Sequence, residues 1–227
     1  MSHVVAFLQK LGPDVLARTH EHVFLTFFAM LVATSIAVPL GIFLARCRAR
    51  AVVGTVMGLA AVVQTIPSLA LIAFIVLLFA LMHLQTIGVA PALTALVLYA
   101  LLPILRNTYT GIRQVDPAVI EVATGLGMKP HQILFSVELP LSLPVIMAGI
   151  RIATVWTIGI ATLCTLIGAG GLGDLIMRGL RSIQMDYLVA GTVPAAILAL
   201  LFDWALGGLE RWLTPEGIRA AGKTGGA

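Results

Sequence analysis

Charge is scarce in this sequence. Asp, Glu, Lys and Arg together make up 11% of its 227 residues, whereas a soluble domain carries about 25%. So few ionic groups cannot coat a globule of this length, which excludes a soluble enzyme and also a disordered chain. Cysteine is nearly absent: Cys47 and Cys164 have no metal-ligand spacing and form no disulfide framework, so a stapled secreted scaffold is excluded. Paired carboxylates, a Ser-His-Asp order and a phosphate-loop lysine are all missing, so no enzyme activity and no ATP hydrolysis are expected of this chain. His20, His22 and His131 are expected at the membrane interface and His83 near an outer boundary; with no second ligand at metal spacing, no metal site is expected. A cleavable signal is also lacking, because Asp14 and Glu21 interrupt the first 21 residues alongside Lys10 and Arg18.

What the sequence does have is apolar surface: 59% of its residues are hydrophobic, with a mean hydropathy of +1.05. The expected class is an all-α integral membrane protein of one domain. A crossing needs about 20 mostly apolar residues. Residues 23–45 fit and stop at Arg46, Arg48 and Arg50. The uncharged stretch 51–82 is only 32 residues long and is broken by Pro67. That is too short for two crossings and a turn. It predicts one crossing over residues 68–82, preceded by a helical piece near the membrane surface, with Pro67 as the helix break. Further crossings are predicted at 87–105, at 143–167 with Arg151 inside, and at 187–206.

Five crossings place Arg46, Arg48, Arg50, Arg106, Arg113, Lys129, Arg211, Arg219 and Lys223 on one side and Lys10, Arg18, Arg178 and Arg181 on the other. Cations favour the cytoplasmic side, so the N-terminus is expected outside and the C-terminus inside. The boundaries that follow are a periplasmic or interfacial segment 1–21, a membrane domain 22–210 and a cytoplasmic tail 211–227. The cations mark membrane faces, and no nucleic-acid partner is implied.

The inside loop, residues 107–141, carries strong local signals. Asp116-Pro117 is a helix start, with an acceptor at the cap and proline at the first position. Residues 117–124 then make two turns, and Gly125-Leu126-Gly127 supplies a stop. Lys129-Pro130 begins a second short helix, which Pro140 and Pro144 are expected to end. Val119, Ile120, Val122, Ala123, Leu126, Ile133, Leu134 and Phe135 exceed the needs of one membrane-facing stripe, so some are expected to face a protein partner.

The same loop reads Glu121-Val122-Ala123, three residues, Gly127, nine residues, then Val137-Glu138-Leu139-Pro140. This resembles the EAA loop of type I, binding-protein-dependent ABC importer permeases, in which Glu-Ala-Ala, three residues, Gly and nine residues precede Ile-x-Leu-Pro. Val122 and Val137 are mild departures. Pro39-Leu40-Gly41, Gln64 to Ala70, Gly149-Ile150-Arg151 and Ile167 to Gly173 are similar to the osmoprotectant branch, which carries glycine betaine, choline, carnitine or related quaternary amines.

The resemblance, over about residues 20–215, implies the type I permease fold with a cytoplasmic coupling helix. Its implied partners are two ATPase subunits that bind ATP and Mg, a second permease (identical or related), and an external binding protein, periplasmic or lipid-anchored. No cofactor is implied for this chain itself. Glu121, Val122, Ala123, Gly125, Gly127, Val137, Leu139 and Pro140 are the implied ATPase-coupling residues. A permease for methionine or another amino acid is the nearest alternative. An ATP-independent carrier would need coupling carboxylates at midplane, and an intramembrane enzyme would need a catalytic constellation that is not there.

Two further expectations come from particular residues. Arg151 and Asp203 lie at similar depth, roughly 12 Å for Arg151 at about 1.5 Å per residue, and are expected to pair; the alternative is that Arg151 snorkels to the headgroups. Gly168-x-Gly170-x-x-Gly173 matches a dinucleotide fingerprint but follows an apolar run with no βαβ unit around it. Gly168, Gly170, Gly171 and Gly173 with Asp174 are instead expected to form an external loop facing the binding protein. Gly54-x-x-x-Gly58 is read as helix packing.

Overall fold

The computed structural model describes residues 2–214, and every regular element among them is helical. In chain order these are α1 (Ser2–Arg46), α2 (Arg50–Thr65), α3 (Ser68–Leu81), α4 (Val89–Arg113), α5 (Pro117–Gly125), α6 (Pro130–Ile133), α7 (Leu139–Ala161), α8 (Gly173–Ser182) and α9 (Met185–Leu213). A π turn, Leu134–Glu138, joins α6 to α7, and a 3₁₀ turn, Thr162–Ile167, continues α7. Four runs are long and apolar enough to cross a membrane: Leu11–Arg46, Val89–Arg113, Pro130–Ile167 and Met185–Leu213. The pair α2–α3, bent by 107° across Pro67, is apolar enough to give a fifth when counted as one broken span. One end of the bundle carries Arg46, Arg113, α5 and α6; the other carries the glycine-rich turn and α8.

Helices in lipid gain little from hydrophobicity, so they associate by close backbone approach at small residues. On α1, Ala29, Ala33, Ala37 and Gly41 recur every four residues and are all buried. This stripe lies against α4, where a Cβ on Gly41 would come within 2.7 Å of Thr108. On the opposite face of α4, a Cβ on Gly149 of α7 would come within 2.5 Å of Asn107 and 2.9 Å of the Pro103 carbonyl. α1, α4 and α7 thus form one closely packed block. Phe27, Leu31, Leu200 and Trp204 face outward, as a lipid-facing surface requires.

Several expectations need correction. The first helix does not wait for the apolar run at residue 23 but continues unbroken from Ser2; the tail from residue 215, with Arg219 and Lys223, lies outside the described residues. α4 runs on to Arg113, so residues 114–129 are what remains between the third and fourth spanning runs. Pro140 and Pro144 do not end a helix. The widened turn directly before Pro140, where the Leu139 amide donates back to the Leu134 carbonyl, provides room where the ring would meet the preceding turn. His22 is enclosed by the bundle: it is fully buried, and its Nε2 donates to the Ile158 carbonyl at 3.0 Å. Gly54 and Gly58 meet no other helix of this chain.

Gly149 and Gly58 therefore predict opposite outcomes. Gly149→Ala should destabilise the purified protein by about 1–3 kcal/mol, because α4 and α7 must separate. Gly58→Ala, with open space around it, should stabilise by up to about 1 kcal/mol through helix propensity. Thermal unfolding in detergent reads both.

Candidate functional site

The most built surface feature is the segment between α4 and α7. Asp116 caps α5 by accepting from the Ala118 amide at 2.9 Å. The chain leaves α5 through Gly127, whose φ of +79° is left-handed. The Lys129 amide then donates to the Gln132 side chain at 2.7 Å, which starts α6. Ala123 and Ile133 turn inward, whereas Val119, Val122, Leu126 and Phe135 are exposed, Leu126 at 77% and Phe135 at 67%. Val119, Val122 and Leu126 follow one helical face, so the segment presents an apolar ridge. Glu121 and Gly125 stand exposed beside it. Val137, Leu139 and Pro140 are half-buried, within the π turn and the first turn of α7, and so belong to the base of the knob.

What holds the knob is an ion pair that the motif reading did not single out. Arg46, the last residue of α1, donates from Nε and Nη2 to Glu138 Oε2 at 3.0 and 2.6 Å, and from Nη2 to the Pro130 carbonyl at 3.1 Å. The Glu138 side chain is only 10% exposed. One guanidinium thus ties the end of α1 to both the start of α6 and the π turn. In the sequence Arg46 reads only as a membrane-face cation. The available signal was Glu138, a lone carboxylate among apolar residues two positions before Pro140.

Arg151 and Asp203 come together. Nε and Nη2 of Arg151 donate to the two Asp203 oxygens at 2.8 and 2.9 Å, a bidentate geometry. Glu210, which was not anticipated, accepts from Nη1 at 3.2 Å. The guanidinium lies over Gly207 at van der Waals distance, 3.4 Å from where a Cβ would stand.

At the opposite end, the glycine-rich turn faces inward more than outward. Gly168, Gly170 and Gly171 all have positive φ, and Gly171 and Gly173 are buried. The Gly171 amide donates to Glu21 Oε2 at 2.8 Å, and a Cβ on Gly173 would overlap the Thr162 carbonyl. Arg18 bridges Glu21 at 2.9 Å and Asp174 at 3.1 Å, while Asp14 holds Arg178 at 3.0 Å. Asp174 also accepts from the Thr165 hydroxyl. The early turns of α1 are in this way fastened to α8 and its turn. A helical turn precedes these glycines, so the strand on which a dinucleotide fingerprint depends is not there. At the Pro67 bend, the Tyr99 hydroxyl donates to the Ile66 carbonyl and the Gln64 amide donates to the Tyr99 carbonyl at 3.1 Å, so α4 supports the broken span.

Two outcomes follow from these contacts. Arg46→Ala should loosen residues 117–138, seen as faster amide exchange there, at a cost of about 1–2 kcal/mol, since Glu138 loses its partner while the arginine is itself a third exposed. A double-mutant cycle with Arg151→Ala and Asp203→Ala should return a coupling energy of about 1 kcal/mol by detergent unfolding.

Comparison with known proteins agrees with this geometry. Residues 37–215 match the family described as binding-protein-dependent transport system inner membrane component. The choline transport system permease protein OpuBB of Bacillus subtilis is 46% identical, covering 96% of this chain and 97% of its own. The carnitine transport permease protein OpuCB of Listeria monocytogenes is 45% identical, covering 99% of this chain and 100% of its own. The glycine betaine/carnitine/choline permease protein OpuCB of B. subtilis is 43% identical, covering 96% and 97%. In fold, a chain of the inward-facing MetNI methionine ABC transporter superposes with a TM-score of 0.79 at 23% identity, covering 88% of this chain and 97% of that one. With the family match reaching from the last quarter of α1 beyond the end of α9, and relatives this similar along nearly the whole chain, the polypeptide belongs to the binding-protein-dependent transport family as a membrane-embedded permease component.

Proposed function

We propose that this chain is the permease subunit of an ATP-driven importer for compact quaternary amines such as choline, carnitine or glycine betaine. The observation that carries the solute class is the 43–46% identity to three permeases named for these compounds. The methionine transporter supports the fold alone, at 23% identity. The chain is not itself the ATPase; ATP and Mg belong to a separate partner subunit, present in two copies. A second permease, identical or related, completes the path across the cytoplasmic (inner) membrane. In this reading the N-terminus is outside, with residues 1–21 as its outer segment, 22–210 as the membrane domain and 211–227 as the cytoplasmic tail.

The α5–α6 knob is the part pushed by the ATPase. Its exposed ridge of Val119, Val122 and Leu126 suits a cleft on that subunit, with Glu121 available to a partner cation. At the outer end, the binding protein docks on the turn holding Gly168, Gly170, Gly171, Gly173 and Asp174. The inward fastening of these residues gives the surface its stiffness. Exposed Leu180, Ile183 and Met185 then offer the apolar contact beside Arg181.

A Cβ on Gly127 meets nothing within 4 Å in this chain, so Gly127→Asp costs the subunit little beyond backbone strain. Gly127→Asp and Glu121→Lys should both reach the membrane at normal levels yet lower ATP-driven uptake of labelled choline or glycine betaine by about tenfold or more, a docking loss of at least about 1.4 kcal/mol. Vesicles holding permease, ATPase and binding protein read it. Normal uptake in both variants overturns the coupling role; accumulation without any ATPase subunit overturns the importer reading.

A further inference from the structure

One cavity on the bundle has a chemistry that the coupling and docking surfaces leave unused. It has a volume of about 320 Å³ and is lined by Ala148, Arg151, Ile152, Val155 and Trp156 of α7 and by Asp203 of α9. The α7 residues fall at helical spacing on one face, the face that α1 and α4 leave uncovered. Arg151 and Asp203 meet here inside spans, at a depth where an ionised group is costly against lipid, and Glu210 joins them from the last turn of α9. Such a face must be turned to protein or to water.

The charges do not balance. Asp203 and Glu210 share one guanidinium, and all three Arg151 nitrogens are already engaged by them. The triad therefore carries a net charge of −1, which favours a cation over an anion even though two of the five guanidinium N–H groups remain unengaged. Beside it stands Trp156, 53% exposed, whose indole face attracts cations. The remaining walls, Ala148, Ile152 and Val155, are apolar. Sodium or potassium would lose hydration against such walls and find too few oxygens in return. A trimethylammonium group has the opposite needs: it is a diffuse cation clad in methyl groups, satisfied by an aromatic face, a nearby carboxylate and apolar contact.

We propose that this cavity is a binding station for a quaternary ammonium group within the membrane domain, with Trp156 against the methyl groups and Asp203 supplying the countercharge. The proposal rests on the transported class given above and names where that class touches the permease itself.

The test places a cysteine reporter at Ile152→Cys in a Cys47→Ser background, within the complete permease–ATPase complex in vesicles. Alkylation by a neutral maleimide is followed by the mass of the permease chain. Tetramethylammonium chloride should slow labelling by about five-fold relative to sodium chloride at equal ionic strength, a ratio in keeping with one cation–π contact. Trp156→Ala should abolish that protection and Trp156→Phe should keep part of it. Ala148→Cys serves as a second reporter, so that one poorly folded variant does not decide the outcome. Equal labelling in both salts at both reporters, or protection that survives Trp156→Ala, overturns the station. Choline uptake by the parent importer is measured in parallel with its binding protein present. Uptake without protection sinks the station alone; protection without uptake of any quaternary amine supports the station and sinks the transported class.

Discussion

Helices in a bilayer are surrounded by material as oily as their own side chains, so what holds this bundle is close contact at small residues. The stripe Ala29, Ala33, Ala37 and Gly41 lets α1 lie tightly on α4, and Gly149 lets α7 approach the other side of α4. Everything else is hung from this three-helix block. α9 packs on α7 and carries the carboxylates that meet Arg151, α8 is fastened to the early turns of α1, and the bent α2–α3 span leans on α4 at Tyr99.

A block of this kind transmits force only if what is pushed is stiffly attached to it. The α5–α6 knob is attached by three routes. Two are covalent, through residues 114–116 back to α4 and through the π turn into α7. The third is the Arg46 guanidinium, which reaches from the end of α1 to Glu138 and to the Pro130 carbonyl. In the proposed importer, motion of a partner at the knob is therefore delivered to α1, α4 and α7 together, that is, to all three helices in the block. Rigid-body rocking is the type of movement such an arrangement supports. The far end is fastened in a similar way, by Arg18 between Glu21 and Asp174, so the two termini of the lever are both cross-linked by charge.

The helical class, the broken second span at Pro67 and the capped start of α5 at Asp116 were legible in sequence because each depends on local causes: run length, a missing amide donor, a side-chain acceptor at the cap. The family to which the chain belongs was legible through the spacing of the motif from Glu121 to Pro140. Arg151 and Asp203 could be matched because both are ionisable at similar depth in spans, where few other partners exist. Glu210 was passed over because it sits near a helix end, where a carboxylate needs no explanation. The continuity of α6 into α7 was missed because proline was read as a stop, whereas a widened turn absorbs its ring.

By itself the sequence determined which stretches are buried in lipid, where the chain must turn, and which short segment could be gripped from outside, since these follow from hydropathy, proline and glycine chemistry and motif spacing along one dimension. Only the tertiary structure decided that Arg46 belongs to Glu138, that His22 is enclosed, that the glycines after Ile167 face Glu21 and Thr162, and that Trp156 shares a cavity with an under-neutralised charge cluster. Those pairings join residues up to 150 positions apart. They are set by which helix faces meet, and no local propensity encodes that.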